Sequence, residues 1–221
     1  MMGSKPDVIF VAGLGAVESV YQPALKALRR VVDIHGADHP AELPDKIDWE
    51  FFFRPIDEAA KNLDSFTLLG HSLGGSVALK YAARHPRKVH QVIAVAPPLF
   101  PFTRARLTRA QRLGRVGMAL WAGHIVHFVR AYRSISARIT YEKAKKLYDF
   151  AGRIDLAPDL PDIKQAVILY PEQEEVIPRW QLERVQQEFP NVRTRLVPGS
   201  HQSLPLAPRR LIPILQEELR V

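Results

Sequence analysis

A serine between two glycines is the part of this sequence whose residue types and spacing most directly suggest chemistry. The segment LLGHSLGGS, Leu68–Ser76, has the pattern Gly-x-Ser-x-Gly around Ser72. It follows an apolar run and precedes ALKYAARHP (Ala78–Pro86), which is typical of a helix and its stop. A tight turn of this kind excludes neighbouring side chains, raises the serine hydroxyl above a sheet and leaves the N–H of Leu73 free for an oxyanion. We therefore predict that Ser72 is a nucleophile.

A second glycine turn, in VIFVAGLGAVES (Val8–Ser19), has two interpretations. A strand, Gly-x-Gly and a helix can bind the pyrophosphate of a dinucleotide, and Asp33 stands 20 residues after Gly13, near the end of the second predicted strand, as a ribose-binding acid would. The same geometry can present backbone N–H groups to an oxyanion. Because Glu18 replaces the third glycine of the dinucleotide motif and would repel a pyrophosphate, the second interpretation is favoured.

The elements that must position these turns are apolar runs alternating with helical patterns. Runs without polar alternation are typical of strands buried on both faces of a parallel sheet. The predicted strands are Val8–Val11, Val31–Ile34, Phe66–Gly70, Val89–Val95, Ala166–Tyr170 and Val192–Val197. The predicted helices are Val20–Arg30, one near Asp57–Leu63, Gly75–Arg84, Arg179–Glu188 and Arg209–Leu219. This order predicts an α/β fold with a doubly wound, mostly parallel six-stranded sheet.

Together with the turn at Ser72, this pattern resembles the α/β-hydrolase family over most of the chain. VAGLG (Val11–Gly15) is similar to the family's H-G-x-G turn after the first core strand, with Ala12 in the place of the histidine. The resemblance implies that the N–H of Leu14 is a second oxyanion donor beside that of Leu73. It also implies a core without the family's leading antiparallel strands, because the chain starts at the first core strand.

A serine hydroxyl needs a base to accept its proton, so the turn at Ser72 implies a histidine oriented by an acid. In the α/β-hydrolase family the chain order is serine, acid, histidine. PGSH (Pro198–His201) follows the last apolar strand, and the tail after it resembles the family's segment after the catalytic histidine. The resemblance therefore implies that His201 is the base.

The acid is expected in AVILYPEQEEVIP, which resembles the family's strand ending in G-x-x-D-x-x-x-P. Matching Pro178 puts the acid at Glu174, with Pro171 in the place of the glycine and glutamate in the place of aspartate. Glu175, one residue further along the same loop, is the alternative. If the triad were incomplete, both glutamates would lie with Glu172 in a solvated acidic loop.

The remaining histidines are expected to have other surroundings. We predict that His71 packs beside the turn and that His85 and His90 face solvent, while His124 and His127 lie in an insertion. HGADH (35–39) holds two histidines and an aspartate but no third convergent ligand, so a polar loop is favoured over a metal site. No metal and no cofactor is predicted, and the absence of cysteine excludes disulfides and thiolate chemistry.

Residues 98–155 are predicted to form a basic helical lid inserted into a core made of residues 1–97 and 156–221. From Pro98 to Arg153 the chain carries twelve lysines and arginines against Glu142 and Asp149 only. The resulting +10 exceeds the +8 of the whole chain, which favours a special insertion over a nucleic-acid-binding fold. The favoured arrangement is a helix pair with an apolar face on the core and a solvated basic outside. Alternatively, the apolar face lines an acyl pocket and the arginines attract an anionic carrier or an acidic lipid surface.

The sequence thus predicts a serine hydrolase that cleaves a small carboxylic ester or thioester with an apolar acyl group. Acyl transfer, carbon–carbon bond hydrolysis on the same triad, and a non-catalytic member of the fold that binds a small molecule are the alternatives. The segment MMGSKPD has no signal-peptide pattern, and the longest apolar run, Val116–Val129, is too short to span a membrane and contains two histidines. A cytoplasmic location is therefore expected.

Overall fold

Six parallel strands form the central sheet in a computed structural model of the protein, which describes residues 5–40, 42–102 and 141–219. The strands are β1 (Asp7–Val11), β2 (Asp33–Gly36), β3 (Phe66–His71), β4 (Val89–Val95), β5 (Ala166–Gln173) and β6 (Val192–Ser200). Their order in the sheet is β2-β1-β3-β4-β5-β6, and each neighbouring pair is parallel. Each predicted strand is present, so the predicted doubly wound α/β fold is confirmed.

The helices follow the strands as a parallel sheet requires. They are α1 (Gln22–Leu28), α2 (Trp49–Ala59), α3 (Leu73–Arg84), α4 (Tyr141–Ala151), α5 (Trp180–Glu188), α6 (Ser203–Leu206) and α7 (Leu211–Glu218). The prediction of a helix near Asp57–Leu63 was displaced: α2 starts at Trp49 because the carboxylate of Asp48 accepts the N–H of Phe51 and caps it. None of the helices in the described ranges has the length and hydrophobicity that a membrane crossing would need.

Apolar side chains cover both faces of the sheet, which explains why its central strands lack polar alternation. On one face the core includes Phe52, Ile56, Val77 and Leu79, from α2 and α3. On the other face it includes Leu25, Leu28, Leu211 and Leu215, from α1 and α7. Burying each such side chain contributes about 1.5–3 kcal/mol, so these two layers fix the strand ends relative to one another.

The two ends of the predicted insertion lie side by side. The N–H of Leu156 donates to the carbonyl of Leu99 (2.9 Å), and that of Phe102 donates to the carbonyl of Gly152 (3.2 Å). The amide of Gln181, from α5, accepts the N–H of Leu99 (2.7 Å). Residues 103–140, which carry most of the predicted lid with its arginines and with His124 and His127, lie outside the described residues.

Candidate active site

Ser72 lies on a sharp turn between the end of β3 and the start of α3. Its backbone φ of 52° and ψ of −124° lie in a region that residues other than glycine rarely adopt, and such a conformation costs about 1–3 kcal/mol. The two glycines of the motif are required because backbone atoms lie too close to them to leave room for a side chain. A Cβ at Gly70 would lie 2.3 Å from the carbonyl oxygen of Gly74, and a Cβ at Gly74 would lie 2.2 Å from that of Val11. The turn is therefore built as the motif predicts.

Three side chains from different strand ends meet at this turn. Nε2 of His201, which follows β6, lies 3.0 Å from Oγ of Ser72. Nδ1 of the same ring lies 2.8 Å from Oε1 of Glu174, in the loop after β5. Because a carboxylate only accepts, Nδ1 carries the proton of the neutral ring and Nε2 accepts from the serine hydroxyl. This is the arrangement that a general base needs.

Backbone N–H groups hold the carboxylate of Glu174 in place. Its Oε1 accepts from Val176 (2.8 Å) and Ile177 (2.9 Å) as well as from the imidazole. The side chain is 1% exposed, and that of His201 is 4% exposed, so the pair is shielded from solvent. Charged hydrogen bonds are strong at such sites, and they fix the direction of the imidazole.

The neighbouring Glu175 has a different contact. Its Oε2 accepts the backbone N–H of His201 at 3.0 Å, and its side chain is partly buried. Burial raises the pKa of this carboxyl, while the hydrogen bond from His201 opposes the change. The structure therefore brings Glu174 to the imidazole and Glu175 to the main chain of the same residue. The solvated acidic loop considered from the sequence is not found for these two glutamates.

Burial and the carboxylate of Glu174 have opposite effects on the pKa of His201. Burial lowers the pKa of His201, but the nearby carboxylate and its hydrogen bond, with a smaller effect from Glu175, outweigh burial, so the pKa is raised above its ordinary value. A base of this kind holds a proton more strongly than a free imidazole does. It suits a group that must accept a proton from a weakly acidic hydroxyl.

The two predicted oxyanion donors follow the neighbouring strands β1 and β3. Leu73 is the first residue of α3, where N–H groups have no acceptor within the helix, and Leu14 lies in the loop after β1. In the described parts of the chain, neither N–H donates a hydrogen bond. The loop and the turn are in contact, since a Cβ at Gly74 would also meet the carbonyl of Ala12 at 2.4 Å. Both predicted oxyanion donors thus lie at the same edge of the sheet as Ser72.

The structure removes the support for a dinucleotide site at the glycine turn. Asp33 begins β2 and pairs with Asp7 at the start of β1, so it lies at the opposite edge of the sheet from Gly13. The prediction that it stands near the end of its strand is wrong, because β2 begins two residues later than expected. Glu18 forms an ion pair with Arg29 beside the turn.

The histidine next to the nucleophile makes contacts that the sequence did not indicate. Nδ1 of His71 lies 2.9 Å from the hydroxyl of Tyr21, and Nε2 lies 2.9 Å from the carbonyl oxygen of His201. His71 is buried, as predicted for a packing residue, but its ring nitrogens are both hydrogen-bonded. The only signal in the sequence was a polar ring in the apolar surroundings of the turn.

Among the other histidines, His90 is exposed as predicted, whereas His85 is half-buried and stacks on Tyr81 with 4.2 Å between the ring centroids. In HGADH, the ring of His35 contacts Asp7, and that of His39 is buried beside Pro40. No group of three or more potential ligands that could hold a metal occurs in residues 5–40, 42–102 and 141–219.

Comparisons with known proteins agree with this architecture. The α/β hydrolase fold family model matches residues 52–119. An esterase from Thermogutta terrifontis has a TM-score of 0.77 at 17% identity, covering 99% of this chain and 90% of that one. A carboxylesterase structure from Nitrososphaera gargenis has the same TM-score at 16% identity, covering 97% and 90%. The protein therefore has the α/β-hydrolase fold.

Curated relatives match a shorter part of the chain. A probable 1-acylglycerol-3-phosphate O-acyltransferase of Oryza sativa subsp. japonica is 58% identical over an alignment of 109 residues, and the match covers 44% of this chain and 26% of the relative. The pimeloyl-[acyl-carrier protein] methyl ester esterase of Aeromonas hydrophila is 31% identical over an alignment of 98 residues, and the match covers 42% of this chain and 39% of the relative. The chain thus spans less than half the length of these relatives.

Proposed function

We propose that the protein is a serine hydrolase that cleaves a carboxylic ester or thioester through an acyl-enzyme. The observation that carries this proposal is the continuous set of hydrogen bonds from Glu174 through His201 to Ser72. The esterases of the same fold and the methyl ester esterase relative support it.

In the first half-reaction, Oγ of Ser72 attacks the carbonyl carbon of the substrate while its proton passes to Nε2 of His201. The carbonyl oxygen becomes an oxyanion, which the N–H groups of Leu14 and Leu73 stabilise by about 2.7–4 kcal/mol per donor in comparable sites. The carboxylate of Glu174 stabilises the imidazolium that forms.

The intermediate then collapses, and the imidazolium of His201 gives its proton to the leaving alcohol or thiol. The acyl group remains on Ser72 as an ester. In the second half-reaction, a water molecule gives a proton to His201 and attacks the carbonyl carbon of this ester, which forms a second intermediate with an oxyanion. The proton returns to Oγ, and the carboxylic acid leaves.

Apolar side chains lie beside the loop that carries Glu174, and they support a substrate with an apolar acyl group. Phe102, Tyr170, Ile177 and Leu182 form a buried cluster, against which Val176 packs. This cluster adjoins Glu174 in the chain and lies where the insertion leaves the core. The proposed lid over residues 98–155, and an anionic carrier or lipid surface as its partner, remain predictions, because most of that segment lies outside the described residues.

Acyl transfer is the second candidate, and the acyltransferase relatives of Oryza sativa and Arabidopsis thaliana, both 58% identical over their matched parts, favour it. The first half-reaction would be the same, and an alcohol would take the place of water in the second. Carbon–carbon bond hydrolysis and a purely binding role have no such support.

A fluorophosphonate probe, which reacts with activated serines, tests the proposal. We expect labelling of the native protein, no labelling of Ser72→Ala, and a fall of at least about 10³-fold in rate for His201→Ala. Ser65→Ala, an exposed serine before β3, is the matched control and should label normally. A natively folded protein that does not label would overturn the hydrolase proposal and favour a binding role. Incubating an ester substrate with and without a glycerol acceptor separates hydrolysis from acyl transfer by the ratio of free acid to new ester.

A further inference from the structure

A second, fully buried set of hydrogen bonds runs behind the triad. The N–H of Gly13 donates to the hydroxyl of Tyr21 at 3.0 Å. That hydroxyl lies 2.9 Å from Nδ1 of His71, and Nε2 of His71 lies 2.9 Å from the carbonyl oxygen of His201. Tyr21 and His71 are 2% and 3% exposed. The set joins the loop that carries Leu14 to the backbone of the proposed base.

The direction of each hydrogen bond follows from the chemistry of its ends. A peptide N–H only donates and a carbonyl only accepts, so the hydroxyl of Tyr21 accepts from Gly13 and donates to Nδ1 of His71. Nε2 of His71 then carries the ring proton and donates to His201. Every polar group in the set is satisfied only when His71 is neutral and in this one tautomer.

The titration of both side chains agrees with this assignment. Burial, with a smaller effect from His201, lowers the pKa of His71 to about 3, so the ring is neutral at any pH at which the triad could work. Burial also raises the pKa of the Tyr21 hydroxyl. Neither group is therefore placed to exchange protons with substrate.

The topology of the sheet explains what such a set could do. β1 and β3 are neighbours, so ladder hydrogen bonds fix the loop with Leu14 relative to Ser72. β6 is an edge strand, and β4 and β5 separate it from β3. The loop with His201 therefore lies beyond both strands, and within the described ranges no hydrogen bond of the sheet links it to the oxyanion donors.

We propose that Tyr21 and His71 are positioning residues that hold the oxyanion loop and the backbone of His201 in one fixed geometry. This inference rests on the proposed function. The competing explanation is that both rings only fill space, in which case apolar rings of similar shape would serve as well.

Kinetic constants of Tyr21→Phe and His71→Phe test the proposal, with an ester substrate that the native protein hydrolyses. Because sub-ångström misplacement at a site is costly, we expect kcat to fall by about 10–100-fold in each, with KM changing by less than about threefold. The double variant should lose about as much as one single variant, since both break the same connected set. Unchanged kcat in His71→Phe, or losses that multiply in the double variant, would overturn the proposal.

Two further variants separate positioning from folding. His71→Gln keeps one acceptor and one donor that are attached to the same carbon, as in the imidazole ring, so it should recover a large part of kcat. A space-filling role would not favour Gln over Phe. Tyr81→Phe is the matched control, because Tyr81 is a buried tyrosine whose hydroxyl donates to Asp57 away from the triad. It should leave kcat unchanged. A loss of kcat that follows the melting temperature across all variants, Tyr81→Phe included, would contradict a positioning role.

One readout does not depend on activity. Nitrogen-15 chemical shifts of the His71 ring in the native protein should show a single neutral tautomer protonated at Nε2, between pH 5 and pH 9. A ring protonated at Nδ1, or a ring that titrates in this range, would overturn the inference even if the hydrolase proposal held. If the native protein were inactive but the ring showed the expected tautomer, the hydrolase proposal alone would fail.

Discussion

Oε1 of Glu174 lies 2.8 Å from Nδ1 of His201, although the two residues follow different strands and stand 27 positions apart in the chain. The carboxylate follows β5 and the imidazole follows β6, and these strands are neighbours in the sheet. Parallel neighbours end at the same edge, so their following loops meet there. The order of the strands in the sheet thus brings this carboxylate and this imidazole together.

Replacing Glu174 and Glu175 one at a time should separate the roles of the two glutamates. We expect Glu174→Gln to lower kcat by about 10²–10⁴-fold, since an amide cannot stabilise an imidazolium and can favour the wrong tautomer. Glu175→Gln keeps an oxygen that can accept the backbone N–H of His201, and its kcat should stay within about threefold of the native value. Steady-state kinetics on both variants checks this. The opposite ranking would move the acid assignment to Glu175.

The pH dependence of kcat/KM should report the raised pKa of His201. The base acts only when unprotonated, so activity should fall on the acid side, with a midpoint above the ordinary histidine pKa of 6.5. In Glu174→Gln the main cause of the raised pKa is gone while burial remains, so the residual activity should have its midpoint at lower pH. A midpoint that is the same in both proteins would show that another group controls the acid limb.

Alanine at Gly74 should destabilise the fold. The new Cβ would lie 2.2 Å and 2.4 Å from two backbone oxygens, of Val11 and Ala12, which cannot move independently of β1. We expect a loss of at least about 1–3 kcal/mol in the free energy of unfolding, and a fall in melting temperature of about 2–4 °C for each kcal/mol.

Gly152→Ala is the matched control for this substitution. The nearest atoms to its Cβ would lie at 3.4 Å, an ordinary van der Waals contact, so its stability should stay within about 0.5 kcal/mol of the native value. Thermal unfolding followed by circular dichroism compares the two. Equal melting temperatures would contradict the close packing of the turn on β1.

The buried amide of Gln181 should contribute to the stability of the fold where the chain enters the predicted insertion. It accepts the N–H groups of Leu99 and Phe100 and donates to the carbonyl of Phe100, and it is fully buried. Gln181→Leu would leave these groups unpaired, at a cost of about 2–4 kcal/mol in the free energy of unfolding. Gln187→Leu, an exposed position on α5, should cost less than about 0.5 kcal/mol. Denaturant unfolding of both variants provides the measurement, and similar midpoints would show that the amide is dispensable.

The sheet and the turn at Ser72 could be predicted from the sequence because their determinants are local. Strands buried on both faces appear as unbroken apolar runs, and β4 was predicted with its observed bounds, Val89–Val95. The glycines flanking Ser72 are required by contacts within the turn and with β1. The position of Glu174 came from its spacing to Pro178, and the structure places that residue against the imidazole.

What could not be predicted depends on distant contacts. The hydrogen bond between Tyr21 and His71 joins residues 50 positions apart, and that between His71 and His201 joins residues 130 apart. In the sequence, Tyr21 is one residue of the predicted helix Val20–Arg30, and nothing there marks it as a partner of His71. The stacking of His85 on Tyr81 was not predicted for a similar reason. A histidine at a predicted helix end does not indicate in the sequence which side chain its ring contacts.

The hydrogen bonds between the two ends of the predicted insertion have a consequence for how far this segment can vary in length. Since Leu156 and Phe102 donate backbone hydrogen bonds to Leu99 and Gly152, the points where residues 103–140 leave and rejoin the core are held side by side. For a flexible connection between two fixed points, doubling its length adds only about 0.6 kcal/mol to the entropic cost of joining its ends. We therefore expect that a change in the length of this segment leaves the geometry of the strand ends that carry Ser72, Glu174 and His201 intact.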